Sequence, residues 1–217
     1  MSAEVRIAVA ARLFDVEATR TRDALIGALE TERDANVAAA LLGGLGRRGE
    51  ERVTGPATRW LGDAAAGTSA AYALGAAGTR AAAGVLRTAA NDPALPGRTR
   101  AAVAKAIGQA GRWDAVWLLL PLLDDGDGQV RAGAVDGLEA LVDHGLRPWE
   151  RRSVARALVA HLAADPHTVW KTHNALIGLA EALPGLRRTA DRTPSADVRA
   201  AALSLLDTYT DKALVPM

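Results

Sequence analysis

The chain contains no cysteine, which excludes disulfide bonds, thiolate nucleophiles and cysteine-ligated metal sites together. Aromatic residues are also scarce and make up 4% of its 217 residues. The hydrophobic core must therefore consist mostly of Ala, Leu and Val, each of which buries little area. Because small side chains let helices approach closely, we expect stability to come from many small contacts spread along the fold.

An excess of charge of either sign is missing as well. The 26 Lys and Arg residues nearly balance the 25 Asp and Glu residues, and the formal net charge is +1. Nucleic-acid-binding domains usually concentrate cations on one face, so this balance argues against nucleic acid as the partner. The longest strongly apolar run, Ala115–Leu123, is shorter than the ~20 residues that a membrane span requires. The N-terminus lacks the layout of a signal peptide, so we expect a cytoplasmic protein without a membrane partner.

A ten-residue pattern, by contrast, occurs seven times along the chain. Its ninth position is always a large aliphatic residue, and its fourth position is always small. Successive copies lie about 30 residues apart, and a period of this length indicates a repeat architecture. The copies are Val5–Phe14, Val37–Gly46, Ala66–Gly75, Thr99–Gly108, Val130–Glu139, Val169–Gly178 and Val198–Asp207.

Each copy predicts a helix, because its first, fifth and ninth positions are mostly apolar and lie on one stripe of a helix. A further helical segment precedes every copy except the first, so the repeat is a helical hairpin. These first helices are predicted at Thr21–Thr31, Arg52–Leu61, Thr79–Ala90, Trp113–Leu123, Trp149–Leu162 and about Gly185–Arg192. The first copy has no such partner. Val5, Val9 and Phe14 leave it an apolar outer side, through which two copies of the chain could associate.

Four copies share finer features. Asp34, Asp127 and Ser195 stand just before the helix in three of them, Val-Arg or a similar pair opens each helix, Ala residues are spaced along it, and two of the four close on Leu-Gly or Ile-Gly. The segments are Arg33–Gly46, Gly97–Gly111, Asp125–Leu141 and Ser195–Leu206. This pattern resembles the HEAT-like repeats of the phycobilin-lyase type. The resemblance implies an all-α fold, a right-handed α-α superhelix (a HEAT-like solenoid) of about six helical hairpins plus an N-terminal half-repeat. It would form a single domain over residues 1–217.

The concave side of such a solenoid is lined by second helices and usually binds a partner. The seventh position of the pattern varies widely between copies, as expected of an exposed face. Tyr72, Lys105 and Asp136 occupy it in three consecutive copies and should form a row across the concave side. The alternative is a solvated helix face without a ligand.

The sixth copy departs from the pattern in its side chains. Trp170 stands where four other copies have Arg, and Lys171 follows it. His173 and Asn174 occupy the fifth and sixth positions, which are apolar elsewhere. Polar groups in a packing stripe cost ~1–3 kcal/mol each unless they form hydrogen bonds. One interpretation is a small polar pocket between Trp170 and Asn174. In the other, His173 and Asn174 bond backbone carbonyls freed by the short, Pro-broken helix that follows.

Arginine recurs at the second position of the pattern, as Arg6, Arg100, Arg131 and Arg199. We expect each to pair with an acidic group or a carbonyl of the next repeat, with Asp34 and Asp127 in the same ladder; phosphate binding is the alternative. Trp113 and Trp117 lie four residues apart in the most hydrophobic first helix, where Pro121 predicts a kink. We expect both tryptophans in the core, and an exposed docking patch is the alternative.

The sequence shows no pattern typical of a catalytic or metal site. His144, His161, His167 and His173 include no pair at the i,i+4 spacing of a helical metal site. We therefore expect no catalytic residue, no metal and no cofactor.

These observations favour a non-catalytic protein-binding or scaffold module whose partner is another protein or a peptide. Its candidate binding residues on the concave face are Tyr72, Lys105, Asp136, Trp170, Lys171, His173 and Asn174. One alternative, implied by the resemblance, is an enzyme or enzyme subunit related to the bilin lyases, which attach or isomerise a tetrapyrrole on a carrier protein. His173 would then act as a general acid or base. The other is a weak DNA-binding protein like the HEAT-like base-excision glycosylases, with few cations to grip phosphates.

Overall fold

A computed structural model describes residues 2–13, 19–112 and 114–213. These residues form helices and turns without a strand, so the predicted all-α class is confirmed for them. The helices are α1 (Ala3–Leu13), α2 (Thr19–Thr31), α3 (Ala35–Arg47), α4 (Thr54–Trp60), α5 (Gly67–Ala77), α6 (Arg80–Ala90), α7 (Gly97–Ala110), α8 (Ala115–Leu119), α9 (Gly128–His144), α10 (Pro148–Ala164), α11 (Val169–Leu176), α12 (Leu183–Arg192) and α13 (Ala196–Ala213). Short 3-10 segments adjoin four of them, at Glu51–Val53, Leu120–Asp124, Pro166–Thr168 and Ala180–Ala182.

The chain divides into two compact units, Met1–Arg112 and Trp113–Met217. The first unit contains α1 to α7, and the second contains α8 to α13. In each unit a first helix packs against the second helix that follows it, which confirms the predicted hairpins. Second helices also stack on one another in series. In the first unit α1 packs on α3, α3 on α5 and α5 on α7, and in the second unit α9 packs on α11 and α11 on α13. Both units are therefore built from HEAT-like helical hairpins, and the interpretation of the whole chain as one domain stays a prediction.

Aspartates cap the N-termini of two second helices, α3 and α9, although the sequence predicts a different role for them. Asp34 accepts hydrogen bonds from the backbone amides of Asn36 and Val37, and Asp127 accepts one from the amide of Gln129. An N-cap of this kind satisfies amides that the first turn of a helix leaves free. The expectation that these two aspartates pair with the arginine ladder is therefore wrong.

The ninth position of the pattern lies in the core through the middle of the chain. Leu45, Leu74, Ile107 and Leu138 are buried as predicted, whereas the terminal copies leave Leu13 and Leu206 half-buried. Closing glycines bring the second helices of the first unit close together. A Cβ atom on Gly46 would lie 2.7 Å from the ring of Tyr72, and one on Gly75 would lie 2.8 Å from the Cβ of Ala106. Only a residue without a side chain fits at these contacts.

After its first position, the sixth copy packs one residue out of register with copies two to five. Its helix, α11, ends at Leu176; Ile177 has an extended backbone (ψ 128°), and Gly178 has a φ of 89°. Leu176 is fully buried, whereas Ile177, the predicted ninth-position residue, is 41% exposed. The prediction for this copy is therefore wrong. The early turn is what allows Leu179, also fully buried, to enter the core after the helix has ended.

Trp117 is not part of the core, although the sequence predicts it there. Its side chain is 54% exposed, so that prediction is wrong, and Trp113 lies outside the described residues. The buried residues of this segment are Val116, Leu119, Leu122 and Leu123. Pro121 has no amide hydrogen, and around it the α-helix gives way to the 3-10 turn Leu120–Asp124, in line with the predicted kink.

The N-terminal helix keeps an apolar outer side. α1 packs on α3 with Ala10 buried, while Val5 and Val9 are exposed, as predicted. Phe14 lies outside the described residues. No helix in the described part of the chain is long and apolar enough to cross a bilayer.

Candidate functional site

The register shift of α11 changes which of its side chains face the solvent. Its buried residues are Val169, Thr172, Ala175 and Leu176. Trp170, Lys171 and Asn174 are exposed, and His173 is half-buried. The expectation that His173 and Asn174 interrupt a packing stripe is therefore wrong, because the stripe runs through their neighbours. Together with Asp136 of α9 and Ser204 of α13, these four residues form what we call the α11 surface.

His173 is held by side chains on both of its ring nitrogens. Its Nδ1 lies 3.2 Å from Oδ1 of Asn174, and its Nε2 lies 3.3 Å from Oγ of Ser204. The ring of Trp170 meets the imidazole edge-on, with the centroids 5.5 Å apart and the planes at 60°. The second interpretation of the sequence, in which His173 bonds freed carbonyls, is wrong for this residue. An edge-to-face pair of aromatic rings at this separation is favourable.

An ion pair joins the same surface to the neighbouring second helix. Nζ of Lys171 lies 2.5 Å from Oδ1 of Asp136. Such an exposed pair contributes only about 0–1 kcal/mol to stability. The structure thus brings five of the seven predicted binding residues together in the second unit.

The other two predicted binding residues belong to the first unit. Tyr72 is on α5 and Lys105 is on α7, which are neighbouring second helices, and both side chains are exposed. The ring of Tyr72 lies over Gly46 of α3. The row from Tyr72 through Lys105 to Asp136 stays a prediction.

The arginine ladder is structural where its contacts are described. Arg6 and Arg131 each reach an acid of the next repeat, as predicted, whereas Arg199 bonds a carbonyl in the turn before its own helix. The contacts are Arg6 with Glu32 (2.9 Å), Arg131 with Asp165 (2.7 Å) and Arg199 with the carbonyl of Thr193 (2.6 Å). The acids are thus ones that the sequence analysis had not named.

A buried polar cluster around His161 was also missed. Nε2 of His161 lies 2.9 Å from Oγ1 of Thr168 and 3.9 Å from Oδ2 of Asp165. Asp165 in turn accepts hydrogen bonds from Arg131 and from the amide of His167. A cavity of about 450 Å³ lies beside the cluster. The i,i+4 spacing of His161 and Asp165 was the available signal, but Asp165 and the proline after it indicated only a turn.

The surroundings of this cluster determine its ionisation. Burial lowers the pKa of His161, and Arg131 adds to this effect against the opposing charge of Asp165. Burial by itself would raise the pKa of Asp165, but hydrogen bonds from Arg131 and the His167 amide hold that pKa below its ordinary value. A neutral imidazole beside an ionised, bonded carboxylate is typical of a packing role, with α9, α10 and the turn before α11 tied together.

A second feature that the sequence analysis missed is a groove between α10 and α12. Its volume is about 950 Å³, and arginines from both helices line it. The net charge of the whole chain does not reveal this groove, because α10 and α12 each contribute only some of its arginines.

No family model matches the chain, and no curated protein matches it significantly in sequence. The chain is similar to a solved structure of the complex of CpcE and CpcF of phycocyanin lyase from Nostoc sp. PCC7120, with a TM-score of 0.48 and 20% identity over 96% of this chain and 94% of that chain. Human deoxyhypusine hydroxylase in complex with glycerol is similar with a TM-score of 0.47 and 21% identity, over 97% and 81% of the two chains. Likenesses at this level assign no activity.

Proposed function

We propose that the chain is a non-catalytic protein-binding module and that the α11 surface is its contact site. The observation that carries the proposal is Trp170, whose side chain is 57% exposed in the middle of a face that is otherwise fixed by specific contacts. Tryptophan is among the residues that most often dominate the energy of protein interfaces. A large indole left in solvent gains most when a partner covers it.

The residues around Trp170 provide an apolar centre with a polar rim. Trp170, His173 and Asn174 follow the spacing i, i+3 and i+4, so they share one face of α11, and Ile177 comes directly after the end of this helix. Ile177 is exposed there, and Leu203 is exposed on α13 next to Ser204. The pair of Lys171 and Asp136 supplies charge at the edge. Interfaces combine an apolar, aromatic centre with a polar rim in the same way.

The side chains of this surface are held before any partner arrives. His173 is placed by Asn174 and Ser204, and its imidazole in turn fixes the edge of Trp170. Side chains that are already ordered lose less conformational entropy on binding, which raises affinity. The partner that fits is a protein segment with an apolar side chain for the indole and hydrogen-bonding groups on its flanks.

The test is a titration of a purified partner, first captured from native cells with the tagged chain, against variants of the surface. Trp170→Ala should raise Kd at least about tenfold, as expected for an interface hot spot. Trp149→Ala is the matched control, because Trp149 is 63% exposed on α10 and lies on a first helix. An unchanged Kd for Trp170→Ala would reject the site. Tyr72→Ala tests whether the surface continues into the predicted row.

A second candidate is an enzyme or enzyme subunit related to the bilin lyases, and it depends on His173. This imidazole is only half-buried and lies between an amide oxygen and a hydroxyl, a setting in which histidine can transfer protons. Mixing the chain with a linear tetrapyrrole should then change the absorbance of the pigment. His173→Gln should abolish this change and His144→Gln, at an exposed histidine of α9, should preserve it. No change with the unaltered chain would dismiss this candidate.

A further inference from the structure

The groove between α10 and α12 is formed by two matched helix faces. On α10 its lining residues include Arg152, Arg156, Val159 and Ala163, and on α12 they include Gly185, Arg188 and Arg192. Spacings of three, four and seven residues keep each set on one side of its helix. Both helices are first helices, so the groove and the α11 surface belong to different layers of the second unit.

The described residues that line the groove carry more positive than negative charge. Arg152, Arg156, Arg188 and Arg192 are all exposed along it. Glu181 is the one acid among the described lining residues, and it forms its ion pair with Arg151 at 2.7 Å. Among the described residues, no ion pair or hydrogen bond engages Arg156, Arg188 or Arg192. Like charges four residues apart on a helix repel each other, so an anion bound between the rims would relieve this repulsion on both helices.

The floor of the groove, by contrast, is apolar and made of small side chains. It includes Ala155, Val159, Ala160, Ala163 and Ala182. Gly185 brings α12 against α10, since a Cβ atom there would lie 3.0 Å from Cγ1 of Val159. None of the described residues that line the groove is aromatic. Arg152 and Ala163 of α10 are about 16 Å apart along the helix axis, so the groove is long enough for about three helical turns of a ligand.

We propose that this groove binds an acidic amphipathic segment of a partner protein, with apolar side chains on the floor and carboxylates against the arginines of both rims. An amphipathic helix laid in a groove is a common mode of peptide recognition. Single-stranded nucleic acid usually stacks its bases on aromatic rings, which this lining lacks. A lone phosphate would favour arginines that converge on one point, whereas these are spread along two helices. The site is independent of the α11 surface.

The proposal can be tested by fluorescence anisotropy with a fluorescein-labelled peptide of about three to four helical turns, carrying Leu and Ala on one face and Glu on both flanks. The chain should bind this peptide, and Kd should rise as salt screens the arginines. Replacing the peptide's Glu by Gln should raise Kd at least about tenfold, and so should Arg156→Glu with Arg188→Glu in the chain. The milder pair Arg156→Gln with Arg188→Gln should raise Kd in the same direction, which guards against an effect on folding.

The control is Arg80→Glu with Arg98→Glu, which changes the net charge equally at exposed arginines of the first unit. This pair should leave Kd within about twofold, because neither arginine lines the groove and solvent ions screen exposed surface charges. Trp170→Ala should also leave it unchanged, so failure here is separable from failure at the α11 surface. Equal Kd for the groove variants and the control variants would overturn the proposal. Tighter binding of a single-stranded oligonucleotide than of the peptide, lost in the groove variants, would overturn it in favour of nucleic acid.

Discussion

The two units use the same hairpin but differ in how regularly its positions are used. In the first unit, the second helices meet through a buried ninth-position residue and closing glycines such as Gly46 and Gly75. In the second unit, α11 has eight residues, packs one residue out of register and is preceded by the buried cluster of His161 and Asp165. In the regular repeats, the repeated spacing places the same positions in the core each time. In the irregular repeat, large side chains are exposed to solvent and polar groups are buried.

The largest expected effect concerns two ion pairs, one largely buried in the second unit and one exposed in the first. Arg131→Met keeps the stem of the side chain but leaves the Asp165 carboxylate, 6% exposed, without its cation. We expect the free energy of unfolding to fall by about 3 kcal/mol. Asp23→Asn, which breaks the exposed contact of Asp23 with Arg52 in the first unit, should cost less than about 1 kcal/mol. Urea denaturation measures both, and equal losses would contradict the comparison.

The next effect concerns the closely packed glycines of the first unit. Gly75→Ala should lower the free energy of unfolding by about 1–2 kcal/mol, because the clash with Ala106 outweighs the better helix propensity of alanine. Gly84 is the matched control in α6, since a Cβ atom there would meet no described atom within 4 Å. Gly84→Ala should therefore raise the thermal midpoint. A stabilising Gly75→Ala would show that the helices are less tightly packed than described.

A smaller effect depends on pH and belongs to the second unit, which holds all four histidines. Burial lowers the pKa of His161 in the folded chain, whereas the same imidazole has its ordinary pKa of 6.5 in the unfolded chain. As the pH falls below 6.5, the unfolded chain therefore binds a proton at this histidine before the folded chain does. The stabilisation is therefore complete above that pH and declines below it, by at most about 1.4 kcal/mol per pH unit. The lowered pKa of Asp165 matters only below 3.8, in a separate range.

Urea denaturation at about pH 7.5 and about pH 5.5 measures this decline. His161→Gln should flatten the pH dependence, whereas His144→Gln, at an exposed position of α9, should retain it. If both variants kept the full slope, the buried imidazole would not be its source.

The smallest effect should be nearly the same in both units. Asp34→Ala and Asp127→Ala each remove an N-cap, and each should cost about 1 kcal/mol in the free energy of unfolding. Asp34 accepts two amides and Asp127 one, so Asp34→Ala should be the larger by a few tenths of that value. If only one of the two variants lost stability, the regularity of the repeat would affect helix capping as well as packing.

The hairpins could be predicted from the sequence because their signal is repeated and local. Spacing of apolar residues defines a helix face, and seven copies reinforce one another. The register of α11 could not be predicted, because Leu176, Ile177 and Leu179 are all apolar. Either Leu176 or Ile177 could serve as the ninth-position residue until contacts with α9 and α13 select one.

Trp117 and the arginine groove were missed for two different physical reasons. Nearly every residue of Ala115–Leu123 is apolar, so no stripe in the sequence distinguishes the buried side from the exposed one. The groove arginines of α10 and α12 are 32 to 40 residues apart along the chain, and only the packing of the two helices joins them in one groove.

The absence of cysteine permits a direct test of the register shift on which the α11 surface depends. A cysteine at Asn174 or at Ala175 would be the single thiol in the chain, and its rate of reaction with a soluble thiol reagent reports its exposure. The structure predicts that Asn174→Cys reacts rapidly and that Ala175→Cys, at a fully buried position, reacts at least about a hundredfold more slowly, through local opening. The unshifted repeat predicts the reverse order, and a faster reaction at Ala175→Cys would contradict the account.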